Sequence, residues 1–330
     1  MLDKKNILIT GGTGSLGRAI TKHICEKYPK INKLVIFSRD EQKQFRMAQE
    51  FPLEKFPFIH YVIGDVRDKE RLIEATRNID FVIHAAAMKH VPIAEQNPNE
   101  CIKTNVGGAE NVIAACLENK VERVIALSTD KACAPVNLYG ATKLTSDKLF
   151  IAANLVKGDK NIRFSVVRFG NLMGSNDSVI PFFMKKKKEG FLPITVPSMT
   201  RFNILIDEAV EMVFFALEKA WGGEIFVPKI PSYKITDVAK AIAPEIEHRI
   251  IGIRHGEKIH EEMITSSDSY NSYDLGKYYS ILPQIPNWDI KDYVKQFKAK
   301  KVKEEFSYTS LNNPKWLTVE EIKKMIEKNL

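Results

Sequence analysis

The sequence predicts an α/β fold in which a doubly wound parallel sheet is followed by a smaller C-terminal lobe. Three observations predict it: short apolar runs alternate with helical stretches in the first half of the chain, a glycine-rich turn follows the first run, and the alternation stops after Asn171. Runs that are apolar on both faces are typical of strands buried between two layers of helices. Their alternation with helices indicates a doubly wound sheet.

The elements of the first half follow one another in regular order. Six short runs rich in β-branched residues are predicted strands, at residues 6–10, 33–38, 59–65, 81–86, 123–128 and 163–170. The segments between them are predicted helices, at residues 16–28, 41–50, 69–77, 104–119 and 139–154. After Asn171, proline and glycine become frequent, and a helix is predicted at residues 207–221. We expect the Lys-rich end, from about Asp289, to pack only peripherally.

Composition and charge restrict the function classes. A chain of 330 residues, of which 44% are hydrophobic, can bury a sizeable core. The net charge of +8 suits an anionic small molecule, and the four-lysine run from Lys185 to Lys188 has no interleaved aromatic residues, so a solvated face is favoured over nucleic-acid binding. The cysteines form no C-x-x-C and the histidines no H-E-x-x-H, so no metal site is predicted. With neither a secretory signal nor an 18-residue apolar run, we expect a cytoplasmic protein without membrane contact.

The glycine-rich turn predicts a nucleotide cofactor. Gly11, Gly14 and Gly17 lie directly after the first predicted strand and open an amphipathic helix. Glycines there permit a tight turn and close approach of the backbone to a diphosphate, while the helix N-terminus supplies amide donors. The motif alone fits a structural turn equally well, but its place at the start of the strand–helix pattern favours a cofactor. We assign residues 1–170 to a Rossmann-like cofactor domain and residues 171–330 mainly to a substrate lobe, interleaved with the first.

The end of the second predicted strand bears on which dinucleotide binds. Ser38 and Arg39 can hold the 2′-phosphate of NADP, whereas an acid such as Asp40 can hold the ribose diol of NAD. We expect NADP, with NAD as the less favoured alternative. Asp65 and Val66 end the third strand, where a carboxylate and a backbone group commonly meet the adenine. Asp65 could instead only cap the following helix.

Five residues form a candidate catalytic group. Tyr139 and Lys143 are four residues apart, so a helix presents them on one face. A free tyrosine, with a pKa of about 10, is a poor base at neutral pH, and we expect the Lys143 ammonium and a positively charged nicotinamide to lower that pKa. Thr129, Asp130 and Lys131 end the fifth strand, where open α/β sheets place their active sites. In isolation these motifs would be a helix-surface pair and a surface turn; beside a cofactor loop, catalysis is favoured.

Long stretches of the sequence resemble one enzyme family. The family is the inverting UDP-N-acetylglucosamine 4,6-dehydratases, which are extended short-chain dehydrogenases/reductases. The stretches that resemble it include ITGGTGSLG, FSRDEQKQ, GDVRDKERL, HAAAMKHVPIAE, ALSTDKACAPVNLYGATKL and IIGIRHGEKIHEEM. The resemblance covers nearly the whole chain. It implies oxidation at sugar carbon 4, elimination of water across carbons 5 and 6, and hydride return to carbon 6 with inversion at carbon 5. The product would be UDP-2-acetamido-2,6-dideoxy-β-L-arabino-hexos-4-ulose, which opens pseudaminic acid biosynthesis.

The resemblance also implies roles for individual residues. Tyr139 would take the hydroxyl proton at carbon 4, Asp130 would help water leave from carbon 6, and Lys131 would handle the carbon 5 proton. A tightly bound NADP, regenerated in each turnover, would contact Gly11, Thr13, Gly14, Ser15, Leu16, Gly17, Ser38, Arg39, Asp40, Lys43, Asp65, Val66, Ala85, Ala86, Lys89, Tyr139 and Lys143. UDP-N-acetylglucosamine would contact Lys89, Asn171, Ser178, Val179, Arg201, Arg254 and Glu257.

Departures from the family pattern leave alternatives open. At five positions the family usually has other residues, and none of these positions is catalytic. They are Ala134, Asn176, Asp177, Asn203 and His255. The large, membrane-anchored retaining 4,6-dehydratases carry Met at the Tyr139 position, and a 4-epimerase needs no Asp130–Lys131 pair. A non-catalytic NADP-binding scaffold would be marked by loss of Tyr139 or Lys143. We favour the inverting dehydratase and expect a homo-oligomer, a dimer or a larger assembly such as a hexamer.

Overall fold

A ten-stranded sheet runs through the centre of this computed structural model, which describes residues 2–174 and 179–329. The strands of the chain are β1 Asn6–Thr10, β2 Lys33–Ser38, β3 Ile59–Ile63, β4 Phe81–His84, β5 Arg123–Thr129, β6 Arg163–Phe169, β7 Asn171–Leu172, β8 Phe191–Ile194, β9 Thr200–Ile204, β10 Ile225–Pro228, β11 Ser232–Lys234, β12 Glu247–Ile250, β13 Glu262–Ile264, β14 Ser272–Asp274, β15 Tyr278–Ile281, β16 Lys300–Lys301 and β17 Tyr308–Thr309. The order in the sheet is β16-β14-β15-β10-β6-β5-β4-β1-β2-β3. Neighbouring strands from β10 to β3 pair in parallel, and β15, β14 and β16 extend the sheet in antiparallel fashion.

The helices fall into groups that cover the sheet. They are α1 Ser15–Lys27, α2 Glu41–Glu50, α3 Lys69–Ala75, α4 Val91–Gln96, α5 Pro98–Ile102, α6 Gly108–Glu118, α7 Leu138–Val156, α8 Val179–Lys187, α9 Ile206–Lys219, α10 Ile235–Ile242, α11 Ile290–Phe297 and α12 Val319–Asn329. Helix α1 packs against α9, whereas α3, α6 and α7 pack in a row, and both α7 and α9 contact β5 and β6. The predicted doubly wound parallel sheet is confirmed.

Most predicted elements of the first half begin within two residues of the observed ones, and the differences lie beside a large cavity. The predicted strands at 59–65 and 81–86 end early, at Ile63 and His84, because the following residues turn away into the cavity wall. The predicted helix at 104–119 begins instead as a π-helical turn, Lys103–Gly107, before α6. Within that turn the Asn105 side chain accepts from the Met88 backbone N–H at 2.8 Å and donates to the Met88 carbonyl at 2.9 Å. The turn therefore fixes the loop after β4.

The second half of the chain contributes to the sheet and also builds a core of its own. Strands β10, β14, β15 and β16 belong to the main sheet, while Phe183, Leu192, Val238 and Ile322 are buried in a separate apolar cluster. The expectation that the end of the chain packs peripherally is wrong, because Tyr293 of α11 is fully buried and stacks on Trp288. All four cysteines are free thiols. Across the described ranges, no helix is both long and apolar enough to cross a membrane.

A close contact between α7 and the turn after β5 yields a first prediction. A Cβ atom on Gly140 would overlap the Lys131 carbonyl oxygen. We expect Gly140→Ala to separate the helix from the turn and to lower the free energy of unfolding by about 2 kcal/mol, as overpacking commonly does. Gly107→Ala is the matched control, since its Cβ would meet nothing within 4 Å. Urea unfolding checks both variants, and equal losses of stability would contradict the steric explanation.

Candidate active site

A cavity of about 910 Å³ lies at the carboxyl ends of the parallel strands, lined by the segments that follow β1 to β6. Every residue predicted to contact the cofactor lies in its wall. The predicted substrate contacts in the wall are Lys89, Asn171, Val179, Arg201, Arg254 and Glu257. Ser178 lies outside the described residues, as do the departures Asn176 and Asp177.

The predicted catalytic residues divide into two sets. Thr129, Lys131, Tyr139 and Lys143 line the cavity, whereas Asp130 is fully buried behind it. Asp130 was predicted to help water leave from carbon 6; it begins a 3-10 turn, Asp130–Ala132, and its carboxylate is buried. Hydrogen bonds connect Asp130 to the two neighbouring residues that line the cavity. Its Oδ1 accepts from Thr129 Oγ1 and from Lys131 Nζ, each at 3.0 Å.

The glycine-rich turn has the shape that a diphosphate needs. Gly11 adopts φ +65°, and a Cβ there would lie 2.7 Å from the Ala86 backbone nitrogen, so the turn packs directly against the segment after β4 in the cavity wall. Helix α1 begins at Ser15, and no side chain in the described part of the protein caps its first amides. Close backbone approach and free N-terminal amides are what a dinucleotide diphosphate requires. The residues present therefore fit a dinucleotide cofactor.

The carboxylates near the predicted adenosine end are engaged by the protein itself. Asp40 caps α2 by accepting from the Lys43 backbone N–H at 2.9 Å, and this bond, the largest contribution, lowers the pKa of Asp40. Arg39 is largely exposed, with its Nη1 3.8 Å from Asp65 Oδ2. Asp65 accepts from the Arg67 guanidinium at 2.7 Å and does not cap the next helix, a role that Asp68 performs. Arg39 and Lys43 are thus two exposed cations of this segment in the cavity wall, and Arg39 is the one that directly follows β2.

Tyr139 and Lys143 share one buried face of α7, as their spacing predicts. The Thr129 hydroxyl faces the Tyr139 hydroxyl. Burial raises the pKa of Tyr139 to about 12, although Lys131 opposes the rise. Burial also lowers the pKa of Lys143, although the negative charge of Asp147 acts to raise it. The protein's own groups therefore do not produce the predicted lowering of the Tyr139 pKa, because desolvation outweighs the effect of the Lys131 ammonium.

Lys131 lies in a cluster of oxygen acceptors. Its Nζ lies 3.0 Å from Asp130 Oδ1, 3.3 Å from Asn171 Oδ1 and 3.5 Å from Glu261 Oε1. Burial alone would lower the pKa of Lys131, but the negative charges of Asp130 and Glu261 outweigh it and the pKa is raised. Burial raises the pKa of Asp130. The Lys131 amine and the Asp130 carboxyl group are thus hydrogen-bonded to each other next to the cavity, and either group can hold the proton between them.

Sequence reasoning missed Glu261, which is 2% exposed and lies in the cavity wall. It stands within IIGIRHGEKIHEEM, one of the stretches that resemble the family, but nothing in that stretch shows which glutamate faces Lys131. Arg201, predicted to bind substrate, lies beside it, with Nε 3.6 Å from Glu261 Oε1. The Arg201 Nη1 already donates to the carbonyls of Thr200 at 2.7 Å and Ile259 at 3.1 Å.

The predicted nucleotide end of the substrate site lies on the loop between β12 and β13. Arg254 is exposed there, and its Nη1 lies 3.8 Å from Glu257 Oε1. The loop is tied to the start of α7, because Asn137 Nδ2 donates to the Gly256 carbonyl at 2.7 Å. Two departures from the family pattern differ in position: His255 lines the cavity, whereas Asn203 is buried in β9.

Comparison with known proteins agrees with this geometry. Residues 7–283 match the family model described as "Polysaccharide biosynthesis protein". The chain belongs to this family. The predicted membership of the extended short-chain dehydrogenases/reductases is also confirmed.

Individual relatives resemble the chain over nearly its whole length. A protein of Campylobacter jejuni subsp. jejuni serotype O:2, named UDP-N-acetylglucosamine 4,6-dehydratase (inverting), is 58% identical over 99% of this chain and 98% of its own. A protein of Rickettsia akari named UDP-glucose 4-epimerase is 43% identical over 99% and 96%. The structure of Pen from Bacillus thuringiensis has a TM-score of 0.90 and 36% identity over 99% and 98%. DesIV of Streptomyces venezuelae, a dTDP-glucose 4,6-dehydratase solved with NAD bound, shows the same fold. Its TM-score is 0.69 at 19% identity, over 89% of this chain and 96% of its own.

The glycine turn generates a second prediction. We expect Gly11→Ala to weaken dinucleotide binding at least about tenfold, because the new Cβ meets Ala86 and the left-handed backbone disfavours alanine by about 1–2 kcal/mol. Gly158→Ala is the control, since its φ of +59° imposes a similar backbone cost with no atom within 4 Å of the Cβ. Isothermal titration with NADP and NAD measures the effect. An equal loss of binding in both variants would show that backbone strain, not the cavity wall, is responsible.

Proposed function

We propose that this protein is an inverting UDP-N-acetylglucosamine 4,6-dehydratase. The observation that carries the proposal is one cavity wall that holds Tyr139 and Lys143 together with Lys131, whose amine is hydrogen-bonded to Asp130. Tyr139 with Lys143 suits alcohol oxidation, and an acid–amine pair suits elimination next to the ketone so formed. The Campylobacter jejuni relative, at 58% identity, supports this assignment.

The cofactor proposed is NADP. Arg39 is exposed at the end of β2 beside Ser38, whereas Asp40, the group that could favour NAD, is engaged in capping α2. An arginine at this place can pair with a 2′-phosphate, and a capping carboxylate is less available to a ribose diol. When bound, NADP would supply the hydride acceptor for oxidation at carbon 4 of the sugar and the hydride donor for reduction at carbon 6.

Tyr139 is the proposed base for the first step. Its oxygen takes the proton from the carbon 4 hydroxyl as hydride leaves carbon 4. Because burial holds the pKa of Tyr139 at about 12, the phenolate needs added positive charge, which Lys143 and the nicotinamide would contribute. Thr129, whose hydroxyl faces Tyr139, would orient this oxygen.

Lys131 and Asp130 are the proposed pair for elimination. A shift of one proton across the 3.0 Å bond from Lys131 Nζ to Asp130 Oδ1 creates an amine and a carboxylic acid together. The amine then takes the proton from carbon 5, and the bond between carbon 6 and its oxygen breaks as that oxygen gains a proton from Asp130. Because Asp130 does not line the cavity, its proton would pass through the Thr129 hydroxyl, 3.0 Å away. Water leaves, and a double bond conjugated with the ketone remains.

The other proposed contacts follow from position. Asn171, 3.3 Å from Lys131 Nζ, would lie next to the reacting sugar carbons. Arg254 and Glu257 would hold the diphosphate and the uridine ribose, since arginine pairs with phosphate and a carboxylate accepts from hydroxyls. A homo-oligomer, a cytoplasmic location and a place at the start of pseudaminic acid biosynthesis belong to the same proposal.

A 4-epimerase is the second candidate, because the Rickettsia akari relative carries that name at 43% identity. An epimerase shares the cofactor turn, Tyr139 and Lys143 but eliminates no water. The Asp130–Lys131 pair is the feature that this alternative leaves without a role. Product analysis separates the two candidates directly.

The third prediction concerns the product. In deuterated water, we expect the protein to convert UDP-N-acetylglucosamine into the 4-keto-6-deoxy sugar, with deuterium at carbon 5 and the L-arabino configuration, as read by proton NMR. The absorbance of reduced nicotinamide should not accumulate, because the hydride returns to the sugar. Formation of UDP-N-acetylgalactosamine would establish the epimerase, and retained configuration at carbon 5 a retaining dehydratase.

Lys131→Met is the matched variant for that experiment. It keeps the side-chain length and removes the amine, while Tyr139 and Lys143 remain. We expect the variant to bind cofactor and substrate but to stall at the 4-keto sugar, with no loss of water and no deuterium at carbon 5. Normal turnover by this variant would exclude Lys131 from the elimination.

The fourth prediction tests the cofactor. Arg39→Ala should weaken NADP binding by about 1–3 kcal/mol, the usual worth of a charge-assisted hydrogen bond, while NAD binding changes little. Isothermal titration of wild type and variant with both dinucleotides measures the difference. Lys22→Ala, at an exposed cation of α1 that does not line the cavity, reports whether any lost positive charge has this effect. Equal losses for NADP and NAD would show that Arg39 does not read the 2′-phosphate.

A further inference from the structure

Glu261 is a nearly fully buried carboxylate in the cavity wall for which the proposed reaction has no role so far. Its Oε1 lies 3.5 Å from Lys131 Nζ and 3.6 Å from Arg201 Nε. Its Oε2 is buried and has no hydrogen-bond partner among the described residues. A buried charge that lacks good pairing is costly, so a purely structural role would be better served by an apolar side chain.

The backbone around Glu261 holds this side chain rigidly in place. Its N–H donates to Ser310 Oγ at 2.9 Å, and its carbonyl accepts from the Ser310 N–H at 2.7 Å. The same Ser310 hydroxyl lies 2.6 Å from Thr200 Oγ1, next to Arg201. Glu261 and Arg201 are therefore fixed relative to each other on two segments of the C-terminal part of the chain.

We propose that Glu261 is a positioning residue for dehydration: its carboxylate, balanced by Arg201, holds the Lys131 amine between itself and Asp130 and keeps one shared proton on the Asp130–Lys131 pair. This role rests on the proposed function. It also reassigns Arg201, whose Nη1 is already committed to two carbonyl groups, from the substrate to Glu261.

The shared proton explains why a second carboxylate is needed. The pair can eliminate water only with one proton between its two members, since the amine must be neutral and the acid protonated at the same time. A negative charge next to both groups raises the pKa of both, so the pair keeps that proton to higher pH. The other ionisable groups that face this cluster are Tyr139, Tyr233 and Lys258.

Glu261→Gln tests the proposal, because it preserves the shape of the side chain and removes the charge. We expect the maximal kcat for dehydration to fall about tenfold or more while KM changes by less than about threefold. Both limbs of the bell-shaped pH profile of kcat should move to lower pH by about one unit, because the negative charge that raises the pKa of both Asp130 and Lys131 is removed. Glu261→Asp, which restores the charge, should return the limbs toward their wild-type positions.

Glu262→Gln is the matched control, the same substitution one residue along, at a glutamate that does not line the cavity. We expect its pH profile to equal that of the wild type. A loss of kcat in Glu261→Gln with unmoved limbs would mean that Glu261 is only structural, and would overturn the proposal. Unchanged kinetics would overturn it as well.

A second measurement is independent of turnover. The rate of acetylation of Lys131 by acetic anhydride, followed across pH by peptide mass spectrometry, reports when the amine loses its proton. In Glu261→Gln this loss should occur at lower pH than in wild type, and in Glu262→Gln it should not move. If the wild type makes no dehydrated product, the proposed function fails, whereas the acetylation profile still decides whether Glu261 governs Lys131. Identical profiles in wild type and Glu261→Gln would overturn the proposal.

Discussion

The pairing of buried charges at the end of β5 is the constraint on which the site depends. Asp130 is fully buried, and its Oδ2 has no hydrogen-bond partner among the described residues. Lys131, the next residue, compensates one carboxylate but faces a second, Glu261, more than a hundred residues along the chain. Removing one partner from such a cluster leaves a buried charge uncompensated, at a cost of about 3–5 kcal/mol. The cluster is therefore complete only when the C-terminal part packs against the sheet.

Local patterns were sufficient to predict most elements of the first half of the chain. The ranges of β1, β2 and α2 agree with prediction, and Tyr139 and Lys143 share a face, because strand runs and helical spacing are properties of neighbouring residues. Glu261 could not be found in this way. Its contact with Lys131 depends on how two distant segments pack. Glu261 and Glu262 are adjacent in the sequence, and no residue spacing shows which of the two faces the cavity.

One error came from judging the C-terminal end by its overall composition. The C-terminal end is rich in lysine, which indicated peripheral packing, yet Trp288 and Tyr293 stack within an aromatic cluster that includes Trp221. An amphipathic helix can carry exposed lysines on one face and a fully buried tyrosine on the other. The burial of Asp130 was likewise not predictable from its place at the end of a strand, because it depends on the 3-10 turn that begins there.

The loop from Lys131 to Asn137 connects the two halves of the proposed reaction. Ala134 within it adopts φ +43°, a left-handed conformation that costs a residue with a Cβ about 1–2 kcal/mol and persists only where neighbours enforce it. Those neighbours lie on one opposing segment: Lys258 Nζ donates to the Cys133 carbonyl at 2.5 Å, and Asn137 Nδ2 donates to the Gly256 carbonyl. The loop that would bind the nucleotide therefore also sets the conformation of the loop that carries Lys131. In the proposed reaction, nucleotide binding and elimination would therefore be coupled through these two hydrogen bonds, which join the loop between β12 and β13 to the segment that carries Lys131.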